Sequence, residues 1–203
     1  MPFRTPLRVR PPEHTGKATL TADDPEILAR LRRGDDAAFA EAFRAHYAAL
    51  VVAADRMLGD RAAAEDVAQE TMLELWRRRE SLPPDTRVRA YLYQSVRNRA
   101  LNHIRHLRVA RRAEPELPLP TAPDPADAAA LTGELHIAMK AAVGGLPDDV
   151  RETFQMSRVD GLTYAEIARV LGVSVKTVEA RMGRALRSLR ERLAPWLPSG
   201  GGW

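Results

Sequence analysis

The chain reads as all-α: two small helical domains joined by a Pro-rich acidic connector. Three observations lead there. Apolar residues recur with the 3.6-residue period of a helix face almost throughout, and strand-like alternation is missing. Asp, Ser or Thr stands ahead of most periodic segments and Gly behind several of them, as helix caps do. The stretch PELPLPTAPDPAD, residues 115–127, holds five prolines, too many for the interior of a helix or strand. A length of 203 residues suits one large or two small domains.

The elements follow in order. Residues 1–22 carry four prolines and no helical period, so they read as a disordered tail. The first domain, 23–112, reads as four helices. A short one, 24–33, stops at Gly34. Asp35 opens 36–58, with Phe39, Phe43, Leu50, Ala54 and Met57 on one stripe and Gly59 at its end. Asp60 opens 61–80. Pro83-Pro84-Asp85 breaks the chain before a long helix, 86–111. Residues 113–133 read as a flexible linker and 134–195 as the second domain. Its first helix, 126–143, begins inside the linker, and Pro147 opens the next, which runs to Val159. Helices 163–171 and 174–194 follow, then a second flexible tail, 196–203.

Composition narrows the function. There is no cysteine, which excludes disulfides, thiol catalysis and cysteine-held clusters and suits a reducing cytoplasm. The longest apolar run, Tyr47 to Ala54, is eight residues, whereas a spanning helix needs roughly twenty. No membrane insertion is expected. The basic N-terminus lacks the apolar core of a secretory signal. The net charge is +4, but its distribution says more. Residues 113–149 carry −6 between two positive blocks, and 87–112 hold eight arginines without one acid. Arginine suits phosphate, whose oxygens match the guanidinium fork.

Three helix faces stand out. On helix 61–80 the core stripe is Ala64, Val67, Ala68, Thr71 and Leu75. The opposite face shows Asp66, Gln69, Glu70, Leu73 and Arg77, and a leucine ringed by acids and an amide suits docking on a basic protein helix. These carboxylates have no base beside them and do not read as a catalytic pair. On helix 86–111 the core stripe is Leu92, Val96, Ala100, Ile104 and Leu107, with Tyr93 beside it. Its other face runs Arg87, Tyr91, Gln94, Asn98, Asn102, Arg105, flanked by Arg97, Arg99 and Arg108. Amides pair with base edges, rings stack on unpaired bases and arginines hold phosphates. His103 and His106 have no third ligand nearby, so neither a metal nor a cofactor is expected.

The third face belongs to a helix-turn-helix. Thr163 and Glu166 form a capping box, Gly172 makes the turn and Ser174 caps the second helix. Val175, Val178, Met182, Ala185 and Leu189 are its expected buried stripe. Lys176, Thr177, Ala180, Arg181, Arg184 and Arg187 then face outward, as on a recognition helix in the major groove.

Taken together, AAAEDVAQETMLELW (62–76), RAYLYQSVRNRALNHIR (89–105) and LPDDVRETFQMSRVDGLTYAEIARVLGVSVKTVEARMGRAL (146–186) resemble bacterial RNA polymerase sigma factors of the extracytoplasmic-function group. These are minimal sigma factors that keep only the second and fourth sigma domains. The resemblance covers about residues 24–194 and implies a non-enzymatic subunit that directs promoter-specific initiation. Asp66 and Gln69, with Glu70 and Leu73 on the same face, would dock on the clamp helices of the polymerase β′ subunit. Tyr91, Asn98, Arg99, Asn102 and Arg105 would meet the minus-ten element. Ser174, Lys176, Thr177, Ala180, Arg181, Arg184 and Arg187 would meet the minus-thirty-five element, with the β flap as second polymerase contact. An anti-sigma factor is the expected inhibitory partner. The connector would lie inside the polymerase, and the free domains would tumble semi-independently or fold against each other with an anti-sigma factor bound. Two residues depart from the family: Tyr91 where Trp is usual and Asn102 where Asp is usual. The alternative is a helix-turn-helix regulator acting without stable polymerase binding. It would need a receiver domain or ligand pocket upstream, and residues 24–112 show no strands.

Overall fold

The computed structural model describes residues 25–113 and 130–196. Eight α-helices run in order: α1 Pro25–Arg32, α2 Asp36–Leu58, α3 Arg61–Arg78, α4 Val88–Ala113, α5 Ala130–Gly144, α6 Asp148–Arg158, α7 Tyr164–Leu171 and α8 Val175–Arg192. A 3-10 turn, Ala194–Trp196, follows, and no strand occurs among the described residues. The expected tail 1–22, the middle of the linker and the end of the chain from 197 lie outside those residues. At the linker's edges, Ala113 closes α4 and 130–133 belong to α5.

The caps explain the boundaries. Asp35 Oδ1 accepts from the backbone N–H groups of Ala37 and Ala38 at 2.9 and 3.2 Å. Gly59, in the left-handed region at φ 64°, ends α2, a conformation that costs glycine nothing. Asp60 Oδ1 caps α3 through Ala63 N at 3.1 Å. Thr163 N donates to Glu166 Oε2 at 2.6 Å and Glu166 N to Thr163 Oγ1 at 3.3 Å, the reciprocal box expected there.

In the first domain α2, α3 and α4 pack side by side around Leu50, Ala54, Ala68, Leu75, Leu92 and Val96, with α1 across one end. The aromatic residues of α2 sit at the rim: Phe39 lies 5.2 Å from the Trp76 ring, and Arg79 rests over that ring. Ala38 and Ala42 take the buried positions beside them. The apolar stripe of α4 fades at its C-terminal end. Ile104 is half-buried and Leu107 is 44% exposed, because the last turns run past the helices they would pack on.

The second domain packs α6, α7 and α8 around Val150, Ile167, Val178 and Met182, with α5 laid on α8 through Ala142. The two domains then meet. Helix α7 lies on α4, and the core runs unbroken from Leu92 and Val96 to Met156, Leu162 and Ile167. Arg97 of α4 grips Glu152 of α6 with bonds of 2.6 and 3.2 Å. Arg89 donates to the backbone carbonyl of Asp160 in the α6–α7 turn, and Arg56 to its carboxylate. The sequence leaves open semi-independent domains or domains folded against each other; in the structure they are packed.

Candidate nucleic-acid interface

Helix α3 buries Ala64, Val67, Ala68, Thr71 and Leu75 and so turns Asp66, Gln69, Glu70 and Leu73 outward. Leu73 is 47% exposed, an apolar side chain of this size with polar neighbours on three sides. Gln69 Nε2 donates to the Tyr47 hydroxyl at 3.4 Å, which ties the face to α2. Glu70 is held from the other side: Arg99 Nη1 of α4 donates to its Oε2 at 2.9 Å.

Along α4, Arg87, Gln94, Asn98, Asn102 and Arg105 are exposed on one side, and Tyr91 is half-buried with its ring packed on the core. Arg105 Nη1 donates to Asn102 Oδ1 at 2.7 Å. The flanking arginines differ in their duties. Arg97 is engaged by Glu152 and Arg99 by Glu70, while Arg108 is exposed. An open groove of about 800 Å³ between α3 and α4 joins the two faces, lined among others by Asp66, Glu70, Arg99, Asn102 and His103. His103 and His106 belong to no group of three metal-ligating side chains among the described residues.

Helix α8 departs from its expected roll. Val178, Met182, Ala185 and Leu189 are buried as the period requires, but Val175 is 42% exposed. It stands in the first turn of the helix. Arg181, placed outward by sequence, instead turns back toward α6: its Nε lies 3.1 Å from Asp149 Oδ2 and its side chain is 20% exposed. Thr177 is half-buried, bonded to Ser174 through both its N–H and its hydroxyl. Lys176, Ala180, Arg184 and Arg187 remain exposed. Ser174, exposed, is committed to its cap, with Thr177 N 3.1 Å from its Oγ.

The seam between the domains holds residues that sequence reasoning missed. The Asp160 side chain is 3% exposed. Burial pushes its carboxyl above the usual range, against the pull of Arg56. Burial likewise pushes the Tyr93 hydroxyl up to about 12, with the Asp160 charge adding to it. Asp149, Glu152 and Asp160 had no sequence signal beyond being acids near α6, since their partners lie on other elements. Among the described residues, no helix is long and apolar enough to cross a membrane.

Comparison with known proteins places these faces in context. Residues 42–109 match the model for sigma-70 region 2, and 136–189 match that for sigma-70 region 4. The chain is 31% identical over 170 residues to the RNA polymerase sigma factor CarQ of Myxococcus xanthus, covering 82% of this chain and 95% of that one. It is 28% identical over 183 residues to the ECF RNA polymerase sigma factor SigK of Mycobacterium tuberculosis, covering 88% and 98%. Among solved structures, CnrH in complex with the cytosolic domain of CnrY aligns with a TM-score of 0.58 at 29% identity, over 86% of this chain and 98% of that one. The sigma factor RpoE of Bartonella quintana, solved with the anti-sigma factor NepR, shares the fold with a TM-score of 0.61 at 24% identity, over 77% and 96%.

Proposed function

We propose, for a chain that belongs to the sigma-70 family of RNA polymerase sigma factors and to its extracytoplasmic-function group, that it binds core RNA polymerase and directs initiation at specific promoters. Sigma factors of this family are not enzymes. The observation that carries the reading is the adjacency of two unlike faces. The acid–amide–leucine face of α3, suited to a protein helix, abuts the amide–arginine face of α4, suited to bases and phosphates, and the Glu70–Arg99 bond joins them. A subunit that melts DNA on a polymerase needs both in one place.

On this reading Asp66, Gln69, Glu70 and Leu73 dock on the β′ clamp helices. Tyr91, Asn98, Arg99, Asn102 and Arg105 engage the minus-ten element, Tyr91 by stacking and Asn102 by its amide. The exposed basic residues of α8 engage the minus-thirty-five element, and the second domain meets the β flap. The domain limits follow the same division: 23–112 for core and minus-ten binding, 134–195 for minus-thirty-five binding, 113–133 as tether. An anti-sigma factor completes the scheme; CnrH, a similar chain, was solved with the cytosolic domain of another protein. The work is placed in the cytoplasm, where the polymerase is.

Reconstitution tests it. Purified chain mixed with core polymerase should co-migrate on gel filtration and start transcripts at discrete sites in a library of promoter fragments. A chain that binds promoter DNA yet never co-migrates with core would overturn the proposal in favour of a free helix-turn-helix regulator.

A further inference from the structure

We propose that Glu179 reads a cytosine in the upstream promoter element, its carboxylate accepting from the cytosine N4 amino group in the major groove, while Gly183 one turn later lets the helix backbone seat closely. This rests on the reading of α8 as the helix that enters DNA. The roll of α8 brings Glu179 forward. With Val178, Met182, Ala185 and Leu189 buried and Arg181 turned back on Asp149, the exposed arc runs from Val175 through Glu179 and Lys176 to Ala180 and Arg184. Gly183, itself half-buried, lies within that arc by the 100° advance per residue.

Glu179 is the one carboxylate between Val175 and Arg190, on a helix otherwise lined with lysine and arginine. It is exposed, and no hydrogen bond or ion pair joins it to any described residue. Lys176, three residues back, is exposed too and makes no bond to it. Four residues on, where a cation would make the usual helix-surface pair, stands Gly183. Facing DNA, an unpartnered carboxylate is repelled by phosphates. What holds it in the groove is an amino donor at a base edge, and cytosine N4 is the one carboxylates take. The N-terminal turns of a recognition helix, where Glu179 lies, reach deepest.

Gly183 supplies the second observation. Glycine inside a helix is unfavourable relative to alanine, yet a Cβ at this position would meet nothing nearer than Arg187 Nη1 at 3.9 Å. No neighbour within the described chain requires a bare backbone there. An outside surface pressed against that turn would. Val175 and Leu186, 42% and 47% exposed, border the same stripe and offer methyl contacts to thymine.

The test uses holoenzyme assembled from core polymerase and the full chain, selected against a randomised upstream element. Wild type should require cytosine at one position. Glu179→Ala should weaken that requirement roughly ten- to hundredfold and leave the other positions alone. Glu179→Gln should move the same position toward adenine, the base glutamine pairs with. Gly183→Ala should melt at a higher temperature and lose affinity for the upstream element across sequences. If both Glu179 variants keep the wild-type preference at every position, the inference is overturned; unchanged affinity in Gly183→Ala overturns its close-seating part. A wild-type holoenzyme with no upstream preference at all would instead overturn the reading of α8 as the recognition helix, and the inference with it.

Discussion

Arg56 and Asp160 lie 104 residues apart in sequence and in contact in the fold, both Asp160 oxygens accepting from Arg56 Nη2 at 2.8 and 2.6 Å. The bond spans the domain seam. Helix α8 packs on α7 and α7 on α4, so α4 and α8 sit on the order of 20 Å apart at ~10 Å per packed pair. The promoter elements they would read are about 25 base pairs apart, roughly 85 Å at 3.4 Å each. On the proposed function the domains would have to separate, and the Arg56–Asp160 bond would oppose it.

Arg56→Ala leaves a buried carboxylate without that partner and should weaken the packing by about 3 kcal/mol. Small-angle scattering should show a larger radius of gyration at neutral pH. The pH effect has a definite sign. Burial raises the Asp160 carboxyl in the packed state, so packing takes up a proton. Its contribution is fully present below the ordinary carboxylate value and lost as pH rises through the raised one. Without Arg56 the value rises further, so the variant should reclose on acidification. A variant as compact as wild type at pH 7 would show that this bond does not hold the domains.

Leu73→Glu places a like charge beside Asp66 and Glu70 and removes the apolar anchor of the α3 face. Losing a central anchor costs on the order of 2 kcal/mol or more. Capture of core polymerase should fall at least tenfold while circular dichroism stays helical. Normal holoenzyme formation would move the polymerase contact elsewhere.

Because Arg105 donates to Asn102 Oδ1, their effects should not add. On the proposed function Arg105→Ala should weaken phosphate contact at every promoter and also release the Asn102 amide proposed to read a base. Open-complex formation, read by permanganate footprinting over a set of minus-ten variants, should give a coupling of at least ~0.5 kcal/mol between Asn102→Ala and Arg105→Ala. Additive effects would mean that the bond is broken on DNA.

Arg181 and Arg184 should separate by role. With its guanidinium on Asp149, Arg181 braces α8 against α6. Arg181→Ala should lower the melting temperature of the second domain and leave base preference intact. Arg184→Ala should spare stability, weaken all upstream sequences alike and reduce the salt slope by about one. A shift of base preference in Arg181→Ala alone would restore it to the reading face.

Thr163→Ala removes one side of the box at the start of α7 and its bond to the buried Glu166. The loss of a cap costs about 1 kcal/mol. Calorimetry should show a drop of several degrees, and no change would mean that Glu166 alone suffices.

Helix limits were legible in the sequence because their causes are local. Asp35, Asp60, Thr163 and Ser174 cap within three residues of themselves, and Gly59 and Gly172 turn the chain with their own backbone. The buried stripe of α3 was equally plain, since the apolar period is a property of one segment. Family membership was legible for the same reason, carried by contiguous runs within each domain. Partnerships across elements were not. The direction of Arg181 depends on Asp149, and that of Arg97 on Glu152, each supplied by another helix. Periodicity placed Val175 inward, but whether the first turn of a helix is covered depends on how far its neighbour extends. Arg56, Arg89 and Asp160 meet across the seam of the closed arrangement, and their meeting is a product of packing. A helix face is written in the spacing of side chains along one segment; its final roll, and which charges it keeps for a partner, are decided when the helices pack.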